Sequence, residues 1–234
     1  NGREKLSTKF VIRKDLAVHE KITLGEQSGI HFTITKENGD AIPCKAQIIG
    51  IEGTASPKLG PVDRAHGCND QYHSENGEFS IGLAPGKYKV ILTRGIEYDH
   101  FEKQLEIRKG KFVNIETALP RSVNTRGWVS TDFHNHSTPS GDNICGTPDR
   151  LINLAAEHIE FAPTTEHNRI MDWTPTIQSL GLESEISTIP GMELTGSGPH
   201  LNAFPLSPKD YHQDGGAPTW TKDPRVNALN LKNH

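Results

Sequence analysis

Over residues 28–120 apolar and polar positions alternate in short runs separated by turn signals. Ile30-His31-Phe32-Thr33-Ile34 has the period of two that marks a strand with one buried face. Asn38-Gly39-Asp40 then signals a turn, and 45–51 is a second strand rich in β-formers. Glu75-Asn76-Gly77 leads into Glu78-Phe79-Ser80-Ile81, and Ala84-Pro85-Gly86 leads into a strand over 87–92. Strands over 101–107 and 111–119 come next, hinged at Lys109-Gly110. Short strands punctuated this way predict a small β-sandwich. Residues 53–73 hold Pro57, Pro61 and few apolar side chains, and read as a long surface loop. Residues 1–27 carry strand-like pieces at 9–12 and 19–24 and read as the end of a preceding β segment.

From Trp128 the pattern changes. Apolar runs over 128–135, 159–165, 186–192 and 200–206 predict strands. Thr147-Pro148-Asp149 supplies an N-cap, a Pro in the first turn and an early acid, predicting a helix to about Glu157. A second helix is predicted within 171–180, weakened by Pro175. Alternating strands and helices favour a parallel α/β arrangement. Residues 121–124 read as a linker, and 28–120 as a unit able to fold independently of the second half of the chain.

Composition narrows the function. The 234 residues carry a net charge of −4, which argues against a nucleic-acid-binding surface. No uncharged apolar run approaches the roughly 18 residues of a membrane span. The three cysteines, Cys44, Cys68 and Cys145, form no Cys-x-x-Cys pair, so a thiolate zinc site is excluded. Cys44 and Cys68 are equally readable as a disulfide, if the chain is exported, or as two thiols. A periplasmic or secreted location is the expectation. Seven of the 12 histidines fall after Ser130.

Those histidines belong to four polar clusters at the ends of predicted strands. In Asp132-Phe133-His134-Asn135-His136, two imidazoles two residues apart on a strand face the same side and can converge on one cation. Asp132 shares that side and reads either as a further metal ligand or as a carboxylate that orients one of the rings. Ser140-Gly141-Asp142-Asn143 adds a loop carboxylate that alone would read as a turn residue. Thr164-Thr165-Glu166-His167-Asn168 places a carboxylate and an imidazole at the end of a buried run, where a metal would offset desolvation. Gly191-Met192-Glu193-Leu194 and Gly196-Ser197-Gly198-Pro199-His200 add a carboxylate able to bridge ions and a further imidazole. Imidazole and carboxylate without thiolate suit Zn, Mn or Fe, and more than four donors suggest more than one ion.

Taken in order, Trp128, Asp132-Phe133-His134-Asn135-His136-Ser137, Thr165-Glu166-His167-Asn168, Gly191-Met192-Glu193-Leu194-Thr195 and His200-Leu201-Asn202-Ala203-Phe204 resemble the first three motifs of the PHP (polymerase and histidinol phosphatase) domain, in its CehA/McbA-like branch. Gly86-Lys87-Tyr88, Thr93-Arg94-Gly95-Ile96-Glu97-Tyr98 and Leu119-Pro120-Arg121 are similar to the carboxypeptidase-regulatory-like β-module that commonly precedes it. The resemblance implies a multidomain β plus α/β chain: a small β-sandwich at 28–120, then the N-terminal part of a distorted (β/α)₇ barrel at 121–234. It implies two or three divalent ions: His134 and His136 on the first, Glu193 bridging to a second held also by His200, and Asp142 with His167 on a third. Asp132, Glu166 and Asn168 would orient these ligands without touching an ion. Glu166 stands where the family more often has Asp.

The implied activity is hydrolysis of a small-molecule ester, foremost a phosphoester, by a metal-activated water rather than a named side chain. A carbamate or carboxylic ester is the alternative substrate. A non-catalytic surface- or glycan-binding protein with a degenerate barrel is the alternative class. The family's later His and closing Asp-x-His do not appear, since His212 and His234 sit in no such pattern. The expectation is therefore an incomplete domain that is weak or inactive as a hydrolase. His158 is expected to complement the C-terminal dipole of the first helix. His19, His31, His66, His73 and His100 are expected at the surface, with His66, Cys68 and His73 as an adventitious metal site at most.

Overall fold

The computed structural model describes all residues except 1, 4, 15, 16, 18, 20 and 60–68. Its first half is two sheets on one core. Strands β1 (Gly29–Thr35), β4 (Glu78–Gly82) and β7 (Phe112–Ala118) form a sheet in the order β4-β1-β7. Here β1 is antiparallel to β4 and parallel to β7. Strands β2 (Cys44–Ile51), β3 (Gln71–Ser74), β5 (Gly86–Thr93) and β6 (Phe101–Ile107) form an antiparallel sheet in the order β3-β2-β5-β6. The period of two read in the sequence is the burial pattern. Ile30, Phe32 and Ile34 meet Cys44, Ala46, Ile48, Tyr88, Val90 and Leu92 across the interior. Phe32 stacks on its register partner Phe79 at 4.5 Å.

Three expectations for this half change. The end of the 53–73 loop is strand β3, which pairs with the edge of β2 although Tyr72 is its only strong β-former. That pairing buries His73, which is therefore no surface residue. His66 and Cys68 lie outside the described residues, so the adventitious site with His73 does too, as does the question of a Cys44–Cys68 disulfide; Cys44 itself is fully buried. The described residues of 9–12 and 19–24 form no strand, and Phe10, Val11, Ile12, Ile22 and Leu24 stay exposed because no sheet edge pairs with them.

The expected fold class does not hold for the second half. No (β/α)₇ barrel is present among the described residues. There are three short helices, α1 (Thr147–Ala156), α2 (Thr174–Leu180) and α3 (Pro224–Lys232), and one antiparallel pair, β8 (Met192–Leu194) with β9 (Leu201–Ala203). The predicted strands at 128–135, 159–165 and most of 186–192 run alongside one another only through isolated parallel bridges, Thr131 to Phe161 and Phe161 to Ser187. The reason is local chemistry. Pro163 and Pro190 bring no amide proton. Thr164 Oγ1 takes the Gly191 amide proton and donates to Met171 O, while Thr165 Oγ1 and Asn135 exchange hydrogen bonds. Side chains thus satisfy backbone groups that a continuous ladder would use.

α1 buries Leu151, Ile152, Leu154 and Ala155 against Trp173, Ile177 and Ile186, and lies next to β2 and β3. Ion pairs link this half to the sheets. The Arg94 guanidinium, 1% exposed, donates to Pro43 O at 2.6 Å and pairs with Glu185. Lys45 pairs with Glu157. Gly95, at φ 61°, passes so close to Glu157 that a Cβ there would sit 2.1 Å from its carbonyl oxygen. Glu97 pairs with Arg121, accepts from Thr125 Oγ1 at 3.0 Å and lies 3.2 Å from His158 Nδ1. His158 thus lies just past the end of α1, as expected, and is a buried neighbour of Glu97. No helix among the described residues is long and apolar enough to cross a membrane.

Candidate metal centre

Two loops, strand β8 and the turn that follows it build the cluster. The Thr131–Phe161 bridge starts the first loop, in which Asp132 Oδ1 accepts the His134 amide at 3.0 Å. That turn aims the rings of His134 and His136 to one side, 5.0 Å between centroids, although the backbone there is not the strand expected. The His167–Glu193 bridge joins the second loop to β8, with Asn168 N donating to Glu193 O and Glu193 N to Glu166 O. β8 carries Glu193 inward, 2% exposed.

The Glu193 carboxylate is the hub. Its Oε2 lies 3.4 Å from His134 Nε2, 3.3 Å from His136 Nε2 and 2.8 Å from His167 Nδ1. Its Oε1 accepts from His200 Nδ1 at 2.9 Å. Asp142, in an exposed loop, reaches the cluster only through His167, whose Nε2 lies 2.9 Å from Asp142 Oδ2. All six expected ligands therefore lie in one connected group. One donor atom from each of His134, His136 and Glu193 lies within 4.8 Å of the others, which defines a single three-donor position. His167, His200 and Asp142 complete no second such group among the described residues, so the expected second and third ions have no site of this kind.

The donor set fits an ion. Buried Glu193 Oε2 makes no hydrogen bond of acceptable geometry despite three ring nitrogens around it. A buried carboxylate oxygen left so is costly unless a cation completes it. A tetrahedral ion with bonds of about 2 Å spaces its donors roughly 3.3 Å apart, and the two Nε2–Oε2 separations match that edge. Burial holds the His136 imidazole below its ordinary range. Neighbouring His167 and His134 add to this and Glu193 opposes it, so His136 favours the neutral, ligating form.

The three expected supporting residues act differently. Asp132 holds the loop backbone through the His134 amide. Asn168 clamps Thr195, accepting its amide at 2.9 Å and donating to its carbonyl at 3.0 Å. Glu166 is fully buried and accepts from Ser137 N, Ser137 Oγ and Ser140 Oγ. Sequence reasoning missed the hydroxyls: Ser140 at 2.9 Å from His136 Nδ1, and Thr195 at 2.6 Å from His167 Nδ1. It also missed Trp220, whose indole covers Gly196 and Gly198 and donates to Pro199 O, pinning the turn before His200. Only the position of Ser140 and Thr195 within the polar clusters signalled them. Beside Thr195 opens a cleft of 610 Å³ lined by Asn168, Thr195, Gly196, Asp214, Pro218 and Trp220. No protein-family model and no curated protein matches the chain.

Proposed function

We propose that this chain is a metal-dependent hydrolase of small-molecule esters, foremost phosphoesters. The observation that carries the reading is the His134–His136–Glu193 position, where a buried carboxylate oxygen without a hydrogen bond faces two imidazole nitrogens at ligand–ligand spacing. Two imidazoles, one carboxylate and no thiolate suit Zn, Mn or Fe. Three protein donors leave a coordination position open, the pattern of catalytic rather than structural sites. The order and wording of the motifs, similar to those of PHP domains, supports the same chemistry independently of the fold.

A divalent ion bound there supplies Lewis acidity toward an ester oxygen and a lowered pKa for water. The remaining work falls to the chain. His167, backed by Asp142, is placed to hold a proton at the edge of the cluster. The adjoining cleft offers a groove for the alcohol or acyl portion of a substrate, with Trp220 as its apolar wall and Asn168 and Asp214 as polar contacts.

The test is reconstitution. The chain is stripped with chelator, loaded with Zn, Mn or Fe(II), and assayed on nitrophenyl phosphate, bis-nitrophenyl phosphate, nitrophenyl acetate and an aryl carbamate. One bound ion and slow phosphoester hydrolysis, in keeping with the weak activity expected from the sequence, are expected, both lost in His134→Ala. A wild-type chain that retains no ion would overturn the proposal; hydrolysis confined to the acetate or carbamate would move the substrate class.

A further inference from the structure

The Ser140 hydroxyl has three neighbours and a fixed capacity. It carries one proton and two lone pairs. The His167 backbone N–H, 3.1 Å away, can only donate and so occupies one lone pair. The Glu166 carboxylate can only accept and so takes the proton. The one place left is an acceptor site, and it faces His136 Nδ1 at 2.9 Å. His136 Nδ1 must therefore carry hydrogen, which leaves the lone pair on Nε2, the atom 3.3 Å from Glu193 Oε2. Glu166 is itself held in place, because Ser137 donates to it through both its amide and its hydroxyl.

From this count we infer that Glu166 and Ser140 form a relay that fixes the tautomer of His136 and so presents Nε2 as a metal ligand. The benefit for a cation rests on the proposed metal centre; the tautomer does not. Glu166 and Ser140 are positioning residues, acting through His136 without touching the ion. A histidine ligand is commonly oriented by an acceptor on its second nitrogen. Here the acceptor is a hydroxyl, and the carboxylate stands one bond further back. That is the geometric use of a Glu at a position where a shorter Asp would fall short of Ser140.

The relay predicts opposite results for two conservative changes. Glu166→Gln keeps the volume and the carbonyl that accepts from Ser137, but presents an amide donor to Ser140. The Ser140 proton is then free to point at His136 Nδ1, which reverses the tautomer and puts hydrogen on Nε2. Ser140→Ala removes the acceptor and leaves both tautomers populated, whereas Ser140→Thr retains the hydroxyl and restores the wild-type state.

The experiment is long-range ¹⁵N–¹H NMR of the histidine rings in the metal-free, full chain at about pH 8, above the ordinary imidazole range. Zinc and manganese affinities are measured alongside with a chromogenic competitor. The expected result is His136 as Nδ1–H in the wild type and Ser140→Thr, Nε2–H in Glu166→Gln and a mixture in Ser140→Ala. Metal affinity should fall about 10–100-fold in the last two. A wild-type His136 protonated on Nε2, or a tautomer unmoved by Glu166→Gln in a chain with native amide dispersion, overturns the relay. The expected tautomers together with no zinc or manganese binding by the wild type uphold the relay and overturn the metal centre instead.

Discussion

Glu193 concentrates more of the cluster than any other side chain, since all four of its imidazole neighbours lie within 3.4 Å of its two oxygens. Glu193→Gln keeps its shape and removes its charge. The expected outcome is a folded chain that no longer holds metal, read by metal analysis after gel filtration; Glu193→Asp should retain weak binding because the charge survives on a shorter arm. His158 makes a different prediction. Burial, and then the Arg94 charge, hold its imidazole below the ordinary range, with Glu97 opposing. Its contribution to stability is present above the unfolded value of about 6.5 and is lost as pH falls from there through the lower folded value. The thermal midpoint should therefore decline as pH falls below about 6.5. His158→Asn, which tolerates the φ of 55° at this position, should flatten that slope. The Glu97 carboxyl is pushed up by burial, but hydrogen bonds from Thr125 and Arg121 outweigh this and hold it low. Its window therefore lies below about pH 4.3, clear of the histidine effect.

At the level of elements, β8 sets the position of Glu193, and the backbone just before it is crowded. A Cβ on Gly191 would meet Ala203 O at 2.6 Å and Thr164 O at 2.7 Å, both main-chain atoms. Gly191→Ala should force β8 away from its neighbours. A loss of about 1–3 kcal/mol in urea unfolding is expected, with a parallel loss of metal affinity. This crowding also marks where the sequence stopped being readable. Strands β1, β2 and β5 were legible because one face is buried and the other solvated, so apolar residues fall on alternate positions. The runs at 159–165 and 186–192 are apolar enough to be buried, but burial alone does not distinguish a strand from an extended segment held by threonine and asparagine side chains. That the six candidate residues gather in one place was legible because imidazoles and carboxylates concentrate in four short polar runs after Ser130, although Asp142 alone reads as a turn residue. Ser140 and Thr195 were not, since hydroxyls in loops ordinarily serve their own backbone. α2 was legible once Pro175 is placed in its first turn rather than its interior.

Across the whole molecule, the sheets and the half that holds the His–Glu cluster meet at buried charge. Arg94 supplies the main partner of Glu185, whose side chain is 13% exposed and keeps only Lys36, at 3.5 Å, if Arg94 is removed. Arg94→Met should cost about 3 kcal/mol, since the Glu185 charge is left poorly paired. Chemical denaturation followed by tryptophan fluorescence reads this directly, because Trp128, Trp173 and Trp220 all lie outside the sheets. Replacing both Arg94 and Glu185 with apolar residues should recover most of that loss, which would show that the junction's ion pair serves specificity of docking more than stability.

The isolated bridges of the second half carry a consequence in mass action. Few ladder bonds tie the segments bearing His134, His136 and Glu193 to one another, so a cation held as proposed by these three side chains would act as their cross-link. Whatever binds only the folded form stabilises it by an amount that grows with the logarithm of its concentration. Each tenfold rise in free zinc above the dissociation constant should then add about 1.4 kcal/mol to this half and nothing to the two-sheet half. Calorimetry in chelator should resolve two transitions, and titrated zinc should drive the lower one upward until the two coincide, making the metal supply a control on how cooperatively the chain unfolds.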